Sequence, residues 1–146
     1  MHSKQYSFET SLGYLTGSLS RLILARNVES FASSELGISS EQWIVLIHIW
    51  NQEGIRQQTI ADHMKIDKTS FTRLITKLEK ADLLIRRLNP DDAREKFLYL
   101  TEKGRSVMDQ ATLLVQEILD KSCAGIDPDH LEICRAVLRK AHSNLM

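Results

Sequence analysis

Apolar residues recur along this chain at two different spacings, and the change of spacing divides it. From about 8 to 36, Leu12, Leu15, Leu19, Leu22 and Ile23 fall three and four apart, which predicts one long amphipathic helix ended by Gly37. A second helix is expected from 39 to about 51, opened by a Ser39/Gln42 capping box, with Trp43, Leu46, Ile47 and Trp50 as its inward face and Glu53-Gly54 at its end. A short third helix, 57 to 64, turns Ile60, Ala61 and Met64 inward, and Lys65-Ile66 leads into a fourth over 67 to 81. There Phe71, Leu74, Ile75 and Leu78 share one face with Ala81 at its edge, and Asp67 is placed to cap the first turn.

The spacing then drops to two. LIRRLN, where Leu84, Arg86 and Leu88 alternate with Ile85 and Arg87, and KFLYLT read as strands joined by Asn89-Pro90-Asp91-Asp92, a turn-forming run. Helical spacing returns after Thr101, which caps a long helix to about 123 with Val107, Met108, Ala111, Leu114, Val115 and Ile118 as its stripe. Asp127-Pro128 starts a last helix, to about 145, carrying Leu131, Cys134, Val137, Leu138, Ala141 and Leu145. The expected fold is mainly α with a small β-hairpin wing: a winged helix-turn-helix at about 39–101. The first helix and the last two are left over, with apolar faces too large for exposure on a monomer. They are expected to be dimerisation helices, at about 8–36, 101–123 and 127–145, in a single domain.

The polar side of the fourth helix has the chemistry of a nucleic-acid contact. Thr69, Thr72, Arg73, Thr76, Lys77 and Lys80 face away from the apolar side with no acidic residue among them, and hydroxyl, guanidinium and ammonium groups suit base edges and phosphates. Lys68 and Ser70 in its first turn belong with them. Gln57, Gln58 and Thr59 open the third helix, which in this plan crosses the backbone. An exposed polar first turn explains those three equally well. On the hairpin the candidates are Arg87, Asp92, Arg94 and Lys96; Asp92 and Arg94 are spaced to pair across one residue of the turn.

Overall composition is neutral, with 19 Lys/Arg against 19 Asp/Glu, which at first argues against a DNA partner. The distribution changes that reading. Residues 56–103 hold 11 basic against 8 acidic side chains, and the remainder holds 8 against 11. No apolar run approaches the ~20 residues needed to span a membrane, and the polar opening, residues 1–8, does not resemble a signal peptide. With two cysteines, reduced thiols and a cytoplasmic location are expected.

Three arrangements compete with plain packing. His130 and Cys134 are four apart on the last helix, with Cys123 and Asp127 near in sequence, but no CxxC or HExxH pattern supports a metal, and Cys134 falls on an apolar stripe where burial explains it. His48 and His63 are expected as histidines satisfied by hydrogen bonds. Tyr14, Trp43, His48 and Trp50 are candidates for lining a cavity, although core packing accounts for both tryptophans. No metal and no cofactor is expected.

Asp92-x-Arg94 followed by Leu98-x-Leu100-Thr101-x-x-Gly104 resembles the wing and the start of the fifth helix in the multiple-antibiotic-resistance regulators, the MarR family. Ile60-Ala61, Thr72-Arg73-Leu74, Leu78-Glu79-Lys80 and Gly37-Ile38-Ser39 fit the same pattern, so the resemblance spans nearly the whole chain. It departs at Asp82, where Gly is common, and at Arg56, where Ser or Thr usually caps the third helix. The resemblance implies a homodimer joined through helices one, five and six, on a near-palindromic double-stranded DNA operator. It also implies a repressor released by a small aromatic or phenolic ligand, and gives Arg94 a place in the minor groove with Asp92 as its orienter. Peroxide sensing through a cysteine near the first helix is not expected, because no cysteine precedes Cys123. Two alternatives stand beside this reading: a winged-helix module that binds protein, and a redox- or metal-responsive regulator of the same fold. An enzyme is not expected, since no nucleophile motif, phosphate loop or metal set is present.

Overall fold

The computed structural model describes residues 7–146; residues 1–6, most of the polar opening stretch, lie outside the described residues. Six helices and three short strands follow one another: α1 (Leu12–Ser33), α2 (Ser40–Asn51), β1 (Ile55–Arg56), α3 (Gln57–Met64), α4 (Lys68–Lys80), β2 (Leu84–Leu88), β3 (Lys96–Leu100), α5 (Glu102–Ser122) and α6 (Pro128–Ser143). The strands form an antiparallel sheet in the order β1-β3-β2.

Local chemistry sets most of the boundaries. Ser39 accepts from the Gln42 amide while the Gln42 side chain accepts from the Ser39 amide, so the capping box at α2 is complete. Asp67 accepts from the Ser70 amide at 2.9 Å, and Thr101 from the Gly104 amide at 2.9 Å. Asp127 caps α6 with Pro128 directly behind it. At α3 the cap position holds Arg56, which makes no side-chain cap bond, and the helix is only 8 residues long. Lys65, at φ 52°, turns the chain from α3 into α4, and Asp82, at φ 58°, turns it from α4 toward the sheet. The positive φ at Asp82 explains how Asp serves where Gly is common.

α1 is shorter than the apolar spacing suggests. It starts after Ser11, whose side chain accepts from the Tyr14 amide, and stops at Ser33, ahead of Gly37. The hydroxyls of Ser33 and Ser34 donate to the carbonyls of Glu29 and Phe31, competing with the helical ladder there. Gly37, at φ +68°, serves the loop that follows.

The inward face of α2 also differs from expectation. Val45, Leu46 and Ile49 are the fully enclosed residues, whereas Trp43 and Ile47 are half-buried and Trp50 is 40% exposed. The run WIVLIHIW is apolar nearly all round, so spacing alone leaves its rotation undetermined; packing against α1, α5 and β3 decides it. β1 was not foreseen, because two residues carry no periodicity. It exists through pairing of Ile55 with Leu98 and Arg56 with Phe97.

Val45, Leu46, Ile49, Ile60, Phe71, Ile75, Leu78, Leu84, Leu98 and Met108 form the centre of one core shared by α2–α5 and the sheet. Outside it, α6 has no buried residue, and the α1 stripe of Leu12, Leu15, Leu19 and Leu22 is 50–58% exposed. No helix among the described residues is long and apolar enough to cross a membrane.

Candidate nucleic-acid interface

α3, the Lys65-Ile66 turn and α4 build one wall of the candidate site, and the β2–β3 hairpin builds the other. α4 is fixed by burying Phe71, Leu74, Ile75 and Leu78. That burial leaves Lys68, Thr69, Ser70, Arg73, Lys77 and Lys80 exposed, with Thr72 and Thr76 half-buried. The two threonine hydroxyls donate within their own helix, Thr72 to the Lys68 carbonyl and Thr76 to the Thr72 carbonyl, each at 2.8 Å. They therefore present acceptor lone pairs and methyl groups outward, in place of the donors the sequence suggests. Arg73 and Lys77 lie one turn apart and carry the exposed positive charge.

The hairpin tip is held by its own polar side chains. Asn89 donates through its amide to the Glu95 carbonyl at 3.0 Å and through its side chain to the Glu95 carboxylate at 2.7 Å. The Asp91 amide in turn donates to the Asn89 side chain at 2.9 Å. Asp92 accepts from the Arg94 amide at 3.0 Å and from its Nε at 3.1 Å, so the expected pair forms. These bonds from Arg94 hold the Asp92 carboxyl below its ordinary pKa. The Arg94 side chain remains 91% exposed, with its guanidinium on the Asp92 carboxylate.

Between the two walls lies a cleft of about 460 Å³. It brings together Gln57, Gln58, Lys68, Thr72, Arg94 and Lys96 from the sequence candidates. Thr69, Ser70, Arg73, Thr76 and Lys77 follow along α4 beyond its lining. Gln58 is engaged with Asp62 at 2.8 Å, and the Gln57 side-chain oxygen is buried without a partner among the described residues. Arg87 is exposed, with its guanidinium carbon 4.9 Å from the centre of the Tyr99 ring.

Sequence reasoning missed Arg56 as part of this cleft. It considered Arg56 only as a poor cap, yet its guanidinium pairs with Glu95 at 3.1 Å and bridges the start of α3 to the wing. It also missed Arg86, which donates to Glu79 at 2.7 and 3.0 Å. Neither contact has a local sequence signal, since each joins elements that meet only in the folded chain.

The profile of the MarR family matches residues 38–96, the stretch that holds both walls of the cleft. That stretch matches the MarR family. Among the chain's relatives, the uncharacterized HTH-type transcriptional regulator YybA of Bacillus subtilis is 25% identical over 126 residues, 84% of each chain. A SlyA-like transcription regulator from Listeria monocytogenes superposes with a TM-score of 0.80 at 27% identity, over 93% of this chain and 89% of that one. CouR from Rhodococcus jostii RHA1, in a structure with p-coumaroyl-CoA, gives a TM-score of 0.78 at 24% identity over 95% of both chains. A structure of the repressor CouR on a 23-mer DNA duplex gives 0.79 at 23%, over 97% of this chain and 99% of that one. These relatives are described as transcriptional regulators.

The remaining candidates distribute differently from expectation. Cys134 is exposed and Cys123 partly buried, because α6 packs against nothing that would enclose its stripe within one chain. Tyr14 packs on Phe8 at 4.7 Å and Trp43 on Phe31 at 6.3 Å. His48 faces His63 with ring centres 5.3 Å apart, and no hydrogen bond to either ring is present among the described residues. His48 is half-buried and His63 exposed, so solvent reaches both rings. Burial, and then the His63 ring, lower the pKa of His48. No group of three or more His, Cys, Asp or Glu is arranged to hold a metal among the described residues.

Proposed function

We propose that this MarR-family protein is a homodimeric, sequence-specific DNA-binding transcription regulator, acting as a repressor that a small-molecule ligand releases. The observation that carries the reading is the joint geometry of α4 and the wing. Arg73 and Lys77 stand exposed on one wall, and Arg94, its guanidinium oriented by Asp92, stands exposed on the other. A helix of this width fits a major groove, and an extended Arg beside it fits the adjacent minor groove. In this reading Thr69, Ser70, Thr72 and Arg73 meet base edges. Gln57, Gln58, Lys68, Thr76, Lys77, Arg87 and Lys96 meet or approach the backbone, and Asp92 orients Arg94.

The homodimer is supported by the apolar surface one chain leaves uncovered. Leu19, Leu22 and Ile23 of α1 and Ile118 of α5 border a groove of about 590 Å³, and α6 exposes Ile133, Val137 and Leu138. All of residues 1–146 then serve one unit, with α1, α5 and α6 spacing two winged helices ~34–36 Å apart on a near-palindromic site. The ligand reading draws on CouR with its bound p-coumaroyl-CoA. It draws also on three buried polar atoms without partners among the described residues: Asn27 Oδ1, Ser40 Oγ and Trp43 Nε1, on α1 and α2. A small aromatic or phenolic ligand of relatives' kind suits such a junction.

Selection of binding sites from random DNA, followed by sedimentation of the protein with and without the selected duplex, tests the proposal. The expected result is an inverted repeat bound by two chains. Recovery of no preferred sequence, or a monomer at micromolar concentration, contradicts it.

A further inference from the structure

On the reading that α4 and the wing grip DNA, we infer that Glu95 is a positioning residue, which together with Arg56 holds the wing tip and its Arg94 in place relative to α3 and α4. The cleft between the two walls is lined by the cations Arg56, Lys68, Arg94 and Lys96 and by the carboxylates Asp62 and Glu95. A carboxylate facing phosphates repels them, so an acid here needs another reason. Asp62 is engaged by Gln58 of its own helix. Glu95 instead divides its two oxygens between separate elements. Its Oε1 pairs with Arg56 Nη1 at 3.1 Å, at the start of α3, and its Oε2 accepts from the Asn89 side chain at 2.7 Å, just past β2.

The same residue closes the hairpin tip. Its carbonyl accepts from the Asn89 amide at 3.0 Å, and its amide donates to the Asp92 carbonyl at 3.0 Å. Asp92 in turn accepts from the Arg94 amide and Nε. A continuous path of polar contacts therefore runs from Arg56 through Glu95 and Asp92 to Arg94. The Glu95 side chain is 30% exposed and that of Arg94 91%, so the path is braced at one end and open to DNA at the other. The brace comes where the sheet runs out. β1 pairs with β3 only at Leu98 and Phe97, and from Lys96 outward the wing is a two-stranded ribbon, which is weak by itself. The Arg56–Glu95 pair carries the hold of β1 past Phe97 to the base of the tip.

Charge and positioning predict opposite signs for the loss of Glu95. If it is only a surface acid, Glu95→Ala frees Arg56 and adds net positive charge to the DNA face, so binding tightens. If it positions the tip, Glu95→Ala loosens Arg94, so binding weakens in spite of the added charge. Asn89→Ala cuts the other link without changing any charge, and weakens binding on the same account.

The test titrates full-length wild type, Glu95→Ala, Asn89→Ala, Arg94→Ala and the Glu95→Ala/Arg94→Ala double variant against the operator duplex selected from random DNA. Salt is kept low enough for every variant to bind measurably. Glu95→Ala should lose ~10-fold in affinity, within the range spanned by one guanidinium contact to DNA. It should add no further loss to Arg94→Ala, since both act through one contact. Footprints on the same duplex separate positioning from damage to the fold. Minor-groove protection from hydroxyl radicals should fade in Glu95→Ala while major-groove protection from dimethyl sulfate persists. Unchanged or tighter binding by Glu95→Ala, additive losses in the double variant, or equal fading of both protections overturns the proposal. A loss in Arg94→Ala without one in Glu95→Ala sinks the role of Glu95 alone, whereas wild-type affinity in Arg94→Ala removes the wing reading and this role with it.

Discussion

Arg86 on β2 donates two hydrogen bonds to Glu79 in the last turn of α4, at 2.7 and 3.0 Å, and so ties the wing to the helix whose outer face it flanks. The Arg86 side chain is 21% and the Glu79 side chain 37% exposed, a pair at the boundary of the core rather than in open solvent. Hydrogen bonding from Arg86 lowers the Glu79 pKa below its ordinary 4.5. A carboxylate with a depressed folded-state pKa adds stability above its unfolded value and loses it as pH falls through the folded value. Wild type should therefore exceed Glu79→Gln in stability by ~1 kcal/mol at neutral pH, after allowance for solvent screening. The gap should close as pH falls below 4.5. Denaturant melts of both proteins across that range check it; a gap independent of pH contradicts the assignment.

Gly104 at the start of α5 fits against the strand entry with no room to spare. A Cβ there would lie 2.0 Å from the Leu83 carbonyl oxygen, and that oxygen is already fixed by accepting from the Thr101 amide at 3.2 Å. Gly104→Ala should cost ~3 kcal/mol in spite of the better helix propensity of Ala. Gly13→Ala in α1, where nothing lies within 4 Å, should be neutral or stabilising by up to ~1 kcal/mol. Paired thermal melts decide, and equal effects at the two glycines would contradict the packing account.

Arg73 and Lys77 should separate in the salt dependence of DNA binding. Replacing a base reader such as Arg73 should cost ~1–3 kcal/mol on the selected operator and relax preference at one position. Lys77→Ala should weaken all sequences alike and reduce the salt slope by about one. Affinity measured at several salt concentrations on operator and scrambled DNA distinguishes them. The reverse pattern would exchange the two roles.

What the sequence revealed depended on how local each determinant is. α3 and α4 were readable almost to the residue, because Asp67 caps one and Lys65 breaks the other within a few positions. The Asp92–Arg94 pair was readable for the same reason, being two apart in a turn. The rotation of α2 was not, since an all-round apolar run hides its phase until α1, α5 and β3 enclose it. β1 was invisible because only Leu98 and Phe97, far along the chain, make it a strand. In the candidate site the missed contacts, Arg56 with Glu95 and Arg86 with Glu79, are ion pairs between different elements. The hydroxyls of Thr72 and Thr76 were identified as outward groups, but their donation to helix carbonyls follows from rotamers that spacing cannot give.

The central claim, that α4 and the wing together grip DNA, rests most on Arg94, whose side chain is 91% exposed and yet oriented through its guanidinium by Asp92. An exposed ion pair contributes only ~0–1 kcal/mol to folding, so stability is a weak reason for the arrangement. A narrow minor groove draws guanidinium, and Lys lacks the planar fork that fits its floor. The direct measurement is an anisotropy titration of wild type, Arg94→Ala, Arg94→Lys and Asp92→Ala against the selected operator, with thermal melts alongside. The account predicts unchanged melts, loss of most affinity in Arg94→Ala, partial recovery with Lys, and a smaller loss in Asp92→Ala. Wild-type affinity in Arg94→Ala would contradict it and leave DNA recognition to α4 alone.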